Sequence, residues 1–284
     1  MKIKNALIVY KKSAYEIYFL ESKGLHFASA RREMKRAHHE HLRTLARVKQ
    51  VLREEKIKFS AYLRGKITDY RAYDFIISVG GDGTFLEAAR HTKNQIILGV
   101  NSDPKRSVGR LCTVSRKNFK KALKHILDGK AKIKLLNRIR VIHPRLNKKI
   151  NALNDVLICH QNPAAMSRYR LAIGGITEDQ RGSGIWISTA AGSSGAIRAA
   201  GGKILPLESK AIQYIPRELF LGHGAKYRLK GGVVSSRKPV KAYSMMHNGA
   251  VYIDGANLSL PFRFTDRVEL SISKAPLHFV DFKE

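Results

Sequence analysis

The chain has 284 residues, 44% of them hydrophobic and 26% charged, with 53 Lys and Arg against 22 Asp and Glu for a net charge of +31. This is globular composition with enough length for one large or two ordinary domains, and it excludes a disordered or fibrous chain. Two cysteines, Cys112 and Cys159, are too few for a disulfide framework or a four-cysteine zinc site. No apolar run approaches the roughly 18–20 residues of a membrane span. Residues 1–5 lead straight into an apolar strand with no signal-peptide pattern. The expectation is a soluble protein of a reducing compartment, the cytoplasm, with no membrane insertion. The charge is uneven: residues 101–150 hold 16 basic and 2 acidic side chains. Such a field draws polyanions, whether nucleic acid, an anionic membrane or nucleotide phosphates, though a merely solvated basic surface has the same composition.

In chain order, residues 3–10 are a short apolar run rich in β-formers and predict a buried strand. Residues 29–55 predict a long helix, with Met34, Ala37, Leu42, Leu45, Val48 and Leu52 on one face and charges on the other. Residues 59–63 predict a weak strand and residues 73–79 a strong buried one. Gly80-Gly81-Asp82-Gly83-Thr84 follows at once, and helix-like spacing resumes over 85–91 before another strand at 95–100. This β-α-β-turn-α-β order implies a parallel sheet with helices on its faces. Residues 101–117 are polar and basic, with Asp103-Pro104 as a breaker, and 117–127 predict an amphipathic helix stopped at Gly129. Beyond residue 130 short alternating runs dominate, at 133–136, 138–142, 156–159, 169–173, 185–188, 251–253 and 268–272. They predict antiparallel sheet. The expectation is therefore two domains: a Rossmann-like α/β domain over 1–104 and a β-rich, sandwich-like domain over 105–284. The tail, 274–284, is expected to pack back on the first, and the active site to lie in the cleft between them.

The chemistry-bearing candidate is the turn at 80–84. Glycines there permit backbone angles closed to other residues and let phosphates approach the main chain. The helix start offers free amides and a positive dipole end. Asp82 is placed where a carboxylate could take a hydroxyl proton or hold a metal ion. A tight turn with Asp82 as a cap is the plainer alternative, but the double glycine before it and the threonine after it at a sheet's carboxyl edge favour a phosphate site. His38, His39 and His41 share the long helix, too few for zinc, and are expected to be surface histidines. Trp186 is expected to pack in its strand, and both cysteines in the core.

Residues 80–84 resemble the signature of the NAD kinase superfamily, shared with diacylglycerol-type lipid kinases and, less closely, with phosphofructokinases. Three further segments occur in the family's order. Asn154-Asp155 resembles its Asn-acid pair. Ser188-Thr189-Ala190-Ala191-Gly192-Ser193-Ser194-Gly195-Ala196, with Gly201-Gly202, resembles its Ser-Thr-Pro-Thr-Gly-Ser-Thr-Ala-Tyr block. Residues 251–255 resemble its C-terminal Asp-Gly strand. The likeness spans roughly residues 74–275. It is greatest to the plant NADH kinase branch, which also has Asn-Ser-Asp-Pro, as at 101–104, Gly-x-Leu-Cys, as at 109–112, Pro-Ala and Ser-Arg, as at 163–164 and 167–168, and alanine where other members have proline.

The resemblance implies an enzyme that uses ATP and a divalent metal, Mg2+, to phosphorylate the 2′-hydroxyl of the adenosine ribose of NADH or NAD, giving NADPH or NADP. Carried over by motif, Asp82 is the general base, and Gly81, Gly83 and Thr84 line the phosphates. Asn154 binds the adenosine and Asp155 the ribose hydroxyls. Thr189, Ala191, Ser194 and Gly195 lie against the adenine, and no protein metal ligand is assigned. Phosphoryl transfer independently needs positioning and charge neutralisation more than covalent help. The resemblance also implies a homodimer or homotetramer and no specific nucleic-acid partner. Two departures from the family matter. Ala196 stands where many members have a stacking tyrosine, with Arg198 as a conceivable replacement, and Ser183 stands where many have aspartate. A carboxylate there would favour the positively charged oxidised nicotinamide, so serine implies acceptance of NADH at least as well as NAD. The rival readings are a lipid kinase of the same superfamily, suited by the charge to an anionic membrane, and a non-catalytic nucleic-acid binder, which has only the charge in its favour.

Overall fold

The computed structural model describes residues 3–21, 28–67, 69–107, 109–235 and 238–282. The chain forms two compact units, Met1–Lys134 with Leu277–Glu284, and Leu135–Pro276.

Unit 1 runs β1 (Asn5–Tyr10), α1 (Ala28–Glu54), β2 (Lys58–Leu63), β3 (Phe75–Gly80), α2 (Asp82–His91), β4 (Ile96–Asn101), β5 (Val114–Ser115), α3 (Phe119–Leu127) and β6 (Ile133–Leu136). Strands β2, β1, β3 and β4 lie side by side and parallel. β3 is buried at every position, while β2, at the edge, is buried at none. Strands covered on both faces read as unbroken apolar runs, which is why β1, β3 and β4 are plain in the sequence and β2 is faint. Val48, Val51 and Leu52 of α1 and Phe119, Leu123 and Ile126 of α3 share one core with Ile8, Phe75, Ile77 and Leu98 of the strands. Each such fully buried side chain contributes about 1.5–3 kcal/mol. The face of α1 differs from expectation: Leu42 is exposed and His41 is buried.

Unit 2 holds β7 (Ile139–His143), β8 (Lys148–Ala152), β9 (Asp155–His160), β10 (Ser167–Ile173), β11 (Ile176–Gly182), β12 (Gly184–Ser188), α4 (Ala196–Ala199), β13 (Ala211–Arg217), β14 (Gly232–Ser235), β15 (Val240–Ser244), β16 (Gly249–Ile253), β17 (Ser259–Phe262) and β18 (Arg267–Ile272). They form two six-stranded sheets, ordered β11-β10-β15-β18-β7-β8 and β14-β13-β12-β9-β16-β17. The pairings are antiparallel, and inward residues of both sheets, among them Val141, Tyr169, Leu171, Ile185, Ile187, Val251 and Phe262, make one core. This is a sandwich, with alternate residues of each strand facing in and out.

The chain ends in unit 1 as β19 (Leu277–Val280), parallel to β4 and between it and β6. The boundary expected near residue 104 therefore falls at 134/135 instead, because β5, α3 and β6 complete the first sheet and its core. The run at 133–136, expected in the antiparallel domain, is β6 of the first sheet for the same reason. Among the described residues no helix is long and apolar enough to cross a membrane.

Candidate active site

In unit 1 the site begins where β3 stops. Gly80 ends the strand, Gly81 is the N-cap of α2, and the carbonyl of Gly81 accepts hydrogen bonds from the Thr84 and Phe85 amides at 3.0 and 3.2 Å. The glycines do not supply the backbone angles expected of them. Gly81 has φ −118°, and Gly80 and Gly83 also lie outside the positive-φ residues. What the turn requires is room: a Cβ on Gly80 would sit 2.4 Å from Thr84 Oγ1. Thr84 is 1% exposed and its Oγ1 has no hydrogen-bond partner. An unpaired buried hydroxyl costs about 1–3 kcal/mol, a cost that a ligand oxygen would relieve.

Asp82 is half-buried. Its Oδ2 accepts from the Arg110 amide at 3.0 Å and its Oδ1 from the Leu111 amide at 2.9 Å. A carboxylate has about four acceptor positions, so the two amides fix its orientation and leave a lone pair on each oxygen. Cys112, next in the loop, has its thiol pushed well up, chiefly by burial and further by the negative charge of Asp82, so it is no thiolate nucleophile. The strand register brings other groups to the same sheet edge. Tyr10 pairs with Leu63 and Val79, and Gly80 with Asn101. Lys11, Arg64, Gly81 and Ser102 thus all leave the carboxyl ends of parallel strands, the usual binding edge of such sheets. His41 of α1 is not the surface histidine expected. It is 2% exposed, its Nδ1 lies 2.9 Å from Ser102 Oγ, and it also bonds the Lys11 carbonyl. Burial first, then the Lys11 charge, pushes its pKa down, so a neutral imidazole ties the ends of β1 and β4 together.

In unit 2 a second turn gathers the other motifs. Asp254 accepts from the Leu153 and Asn154 amides at 3.0 and 2.7 Å, and its own amide donates to the Asp155 carbonyl at 2.9 Å. Asn154 Nδ2 donates to Asp155 Oδ2 at 2.7 Å. Thr189 Oγ1 donates to the Leu153 carbonyl and accepts from the Gly192 amide at 3.1 Å. A Cβ on Gly192 would lie 2.1 Å from the Asn154 carbonyl oxygen, so only glycine fits. Asn154, Asp155, Thr189, Ala191 and Gly195 are thereby brought together, with Ser194 beside them. Thr189 and Ala191 are buried, and the Thr189 hydroxyl is occupied by main chain; Ser194 and Gly195 are exposed. Asp155 is 4% exposed, and burial, then the charge of Asp254, pushes its pKa up to about 7.

Asp155 and Ser183 both line a cavity of about 510 Å³ on the outer face of the second sheet. Val156 and Ile158 of β9 point into the core, while Asp155, Leu157 and Cys159 line the cavity. Leu157 pairs with Trp186 on one side and with Tyr252 on the other, so an aromatic–aliphatic–aromatic row forms part of the wall. The sequence reading missed this role for Trp186 and Tyr252; alternation along β12 and β16 was the available signal. Arg217 lines the cavity too. Arg198 Nη1 donates to the Gly202 carbonyl at 2.8 Å.

Residues 9–131 match the family model for the ATP-NAD kinase N-terminal domain. A probable NADH kinase of Oryza sativa subsp. japonica is 33% identical over 260 residues, covering 84% of this chain and 80% of that protein. The chain belongs to the NAD kinase family. An NADH kinase of Arabidopsis thaliana is 30% identical and covers 80% of this chain and 79% of its own length. Among solved structures, an NAD kinase from Archaeoglobus fulgidus in complex with ATP aligns with TM-score 0.71 and 22% identity over 97% of this chain and 93% of that one. A yeast NADH kinase complexed with NADH aligns with TM-score 0.72 and 14% identity, covering 100% and 85%. At those identities the structural likeness speaks for the fold: the α/β unit and the β-sandwich unit are those of NAD kinases.

Proposed function

We propose that this NAD kinase family member transfers the γ-phosphoryl group of ATP to the 2′-hydroxyl of the adenosine ribose of NADH or NAD. The observation that carries the reading is Asp82: a carboxylate oriented by two main-chain amides at the amino end of α2, where a phosphate chain finds free N–H groups and a positive dipole. The hydroxyl gives its proton to Asp82, the new O–P bond forms, and the bond from the γ-phosphorus to the ADP oxygen breaks. Gly81 and Gly83 leave the main chain open to the phosphates, and the unpaired Thr84 hydroxyl donates to one of their oxygens.

Unit 2 supplies the dinucleotide site. Asp155 accepts from the ribose hydroxyls and Asn154 from and to the adenine, with Ser194 and Gly195 at its exposed side. The outer-face cavity takes the nicotinamide end, its rings against Trp186 and Tyr252. Asp155 pairs with Ser188, five residues along from Ser183, so the two ends of the cavity wall lie roughly 17 Å apart, which suits an extended ligand. A divalent ion fits this donor set. Among the described residues no group of three His, Cys, Asp or Glu side chains could hold a metal, and magnesium typically binds through substrate phosphates and one or two carboxylates. Asp82 retains lone pairs for that role, and the ion would neutralise charge on the phosphates.

The test is formation of NADPH or NADP from ATP, magnesium and each dinucleotide, by wild type and Asp82→Asn, with diacylglycerol as a competing acceptor. Wild type should phosphorylate dinucleotide, and the variant should not. Labelled phosphate appearing only on the lipid would overturn the reading.

A further inference from the structure

Two helices that share the unit 1 core carry much of the chain's excess positive charge. α1 holds eight Lys and Arg against three Glu, and residues 116–124, which lead into α3 and form most of it, hold five against none. We infer that the outer faces of α1 and α3 form a docking surface for a nucleic-acid duplex, held by its phosphate backbone without regard to base sequence. The surface uses none of the residues assigned to catalysis or dinucleotide binding, and the inference does not rest on the kinase reading.

Placement, rather than net charge, carries it. In α1 the buried Thr44, Leu45, Val48, Val51 and Leu52 define the inner face. Arg32, Arg36, Arg43 and Arg47 recur at steps of four, seven and four, so they fall in one row on the outer side. At 1.5 Å per residue that row is roughly 22 Å long, the length of about six base pairs. In α3 Phe119, Ala122, Leu123 and Ile126 are buried, while Lys117, Lys120 and Lys124 are exposed. Two ion pairs set the helices side by side: Arg116 Nε with Glu40 Oε1 at 3.0 Å, and Lys120 Nζ with Glu54 Oε2 at 2.8 Å. The remaining glutamate of α1, Glu33, is taken by Arg106 at 2.8 Å. The acids are thus matched within the protein. Arg32, Arg36, Arg43, Lys117 and Lys124 have no carboxylate within ion-pair distance among the described residues.

Two features select the partner. The row consists of arginines, whose planar guanidinium groups take phosphate oxygens two at a time. The two helices also expose no Phe, Tyr or Trp, since α1 has none and Phe119 is buried. Single strands bind by stacking bases on such rings, and interfacial membrane helices bind by burying an apolar face. Leu42 is the one large apolar side chain that these helices expose among the described residues. A charged row without rings or an apolar face suits a paired backbone.

The experiment titrates protein into a short labelled DNA duplex by fluorescence anisotropy, between about 50 and 200 mM salt. Wild type should show a slope of log K against log salt of roughly −4, the counterions of four or five phosphates. Arg36→Gln with Arg43→Gln should weaken binding about tenfold and make the slope shallower by about two. Arg36→Lys with Arg43→Lys should keep most of the affinity. Lys148→Gln with Lys149→Gln, exposed on β8, removes the same charge from unit 2 and should bind almost as wild type does. Melting temperatures equal to that of wild type show that each variant is folded. No binding by wild type, or equal weakening by the unit 2 pair, would overturn the surface. So would tighter binding of the matching single strand, or displacement of the duplex by phosphatidylserine vesicles at equal anionic charge.

Discussion

Two aspartates in the two units show how differently the same side chain is prepared. Asp82 in unit 1 is half-exposed and faces two amide donors. Asp155 in unit 2 is buried, has Asp254 for a charged neighbour, and sits with its pKa pushed up to about 7. Environment, not residue type, divides the work between carboxylates: the first keeps lone pairs open at a sheet edge, where the proposed function gives it the proton, and the second sits near its midpoint at neutral pH, where the same proposal gives it the ribose. The comparison breaks most sharply at Asp82→Asn. The amide keeps the shape and loses the base, and kcat should fall by about 10²–10⁴-fold with KM for NADH little changed. If Asp155→Asn lowers kcat as much as Asp82→Asn does, the division of labour is wrong.

The next effect concerns the unit 2 cavity. Trp186 and Tyr252 flank Leu157 across three strands, and aromatic surface against a ring is worth about 1–3 kcal/mol. Trp186→Ala should raise KM for NADH roughly tenfold and leave KM for ATP alone. A matching rise in KM for ATP would mean that the row supports the fold rather than the dinucleotide.

The pH dependence follows from Asp155. Its native pKa lies above the usual carboxylate value, so the folded protein holds the proton that the unfolded chain releases. This group's contribution to stability is greatest at low pH, declines as pH rises from about 4, and levels off above about 7. The charged form is the stronger acceptor for the ribose hydroxyls that the proposed function places there, so KM for NADH should fall several-fold as pH rises through 7. Asp254→Asn removes the second cause of the shift and should move that midpoint to lower pH. Steady-state kinetics from pH 5.5 to 8.5 on both proteins decide it; superimposable profiles would remove Asp254 as the cause.

How much of this was legible beforehand depends on where each segment lies. The buried parallel strands and the turn at Asp82 stood out because burial on both faces makes an unbroken apolar run. The strands at the four edges of the sandwich, β8, β11, β14 and β17, gave no such signal. β11 reads Ile176-Thr177-Glu178-Asp179-Gln180-Arg181-Gly182 and buries only Gln180 and Gly182. β13 is interior yet was equally opaque, since Gln213 and Pro216 interrupt its apolar run. Asn154 and Asp155 were found by motif, but no local pattern tells that Asp254, a hundred residues on, caps the amides of Leu153 and Asn154. His41 was misread because its partners, Ser102 and the Lys11 carbonyl, come from other strands.

The smallest effect tests the cavity's far end. Ser183 lines it, tied through its amide to the Arg217 carbonyl at 2.9 Å, and the Arg217 side chain lines the same space. The oxidised nicotinamide ring carries a positive charge and the reduced ring none, so the local charge balance discriminates between them while every other contact stays equal. In wild type the Arg217 guanidinium is offset by Glu218 at 4.0 Å in the same lining, and the hydroxyl at 183 adds no attraction for the cation, so NADH should be accepted at least as well as NAD. Ser183→Asp adds a carboxylate that is partly screened by Arg217 and by solvent. Roughly 1 kcal/mol of preference for the oxidised form is reasonable at a partly exposed site. The ratio of kcat/KM for NAD over NADH should rise about fivefold, through KM, and the gain should shrink at high salt. An unchanged ratio in a variant of normal stability would mean that the nicotinamide does not reach Ser183, and that the cavity holds another part of the dinucleotide.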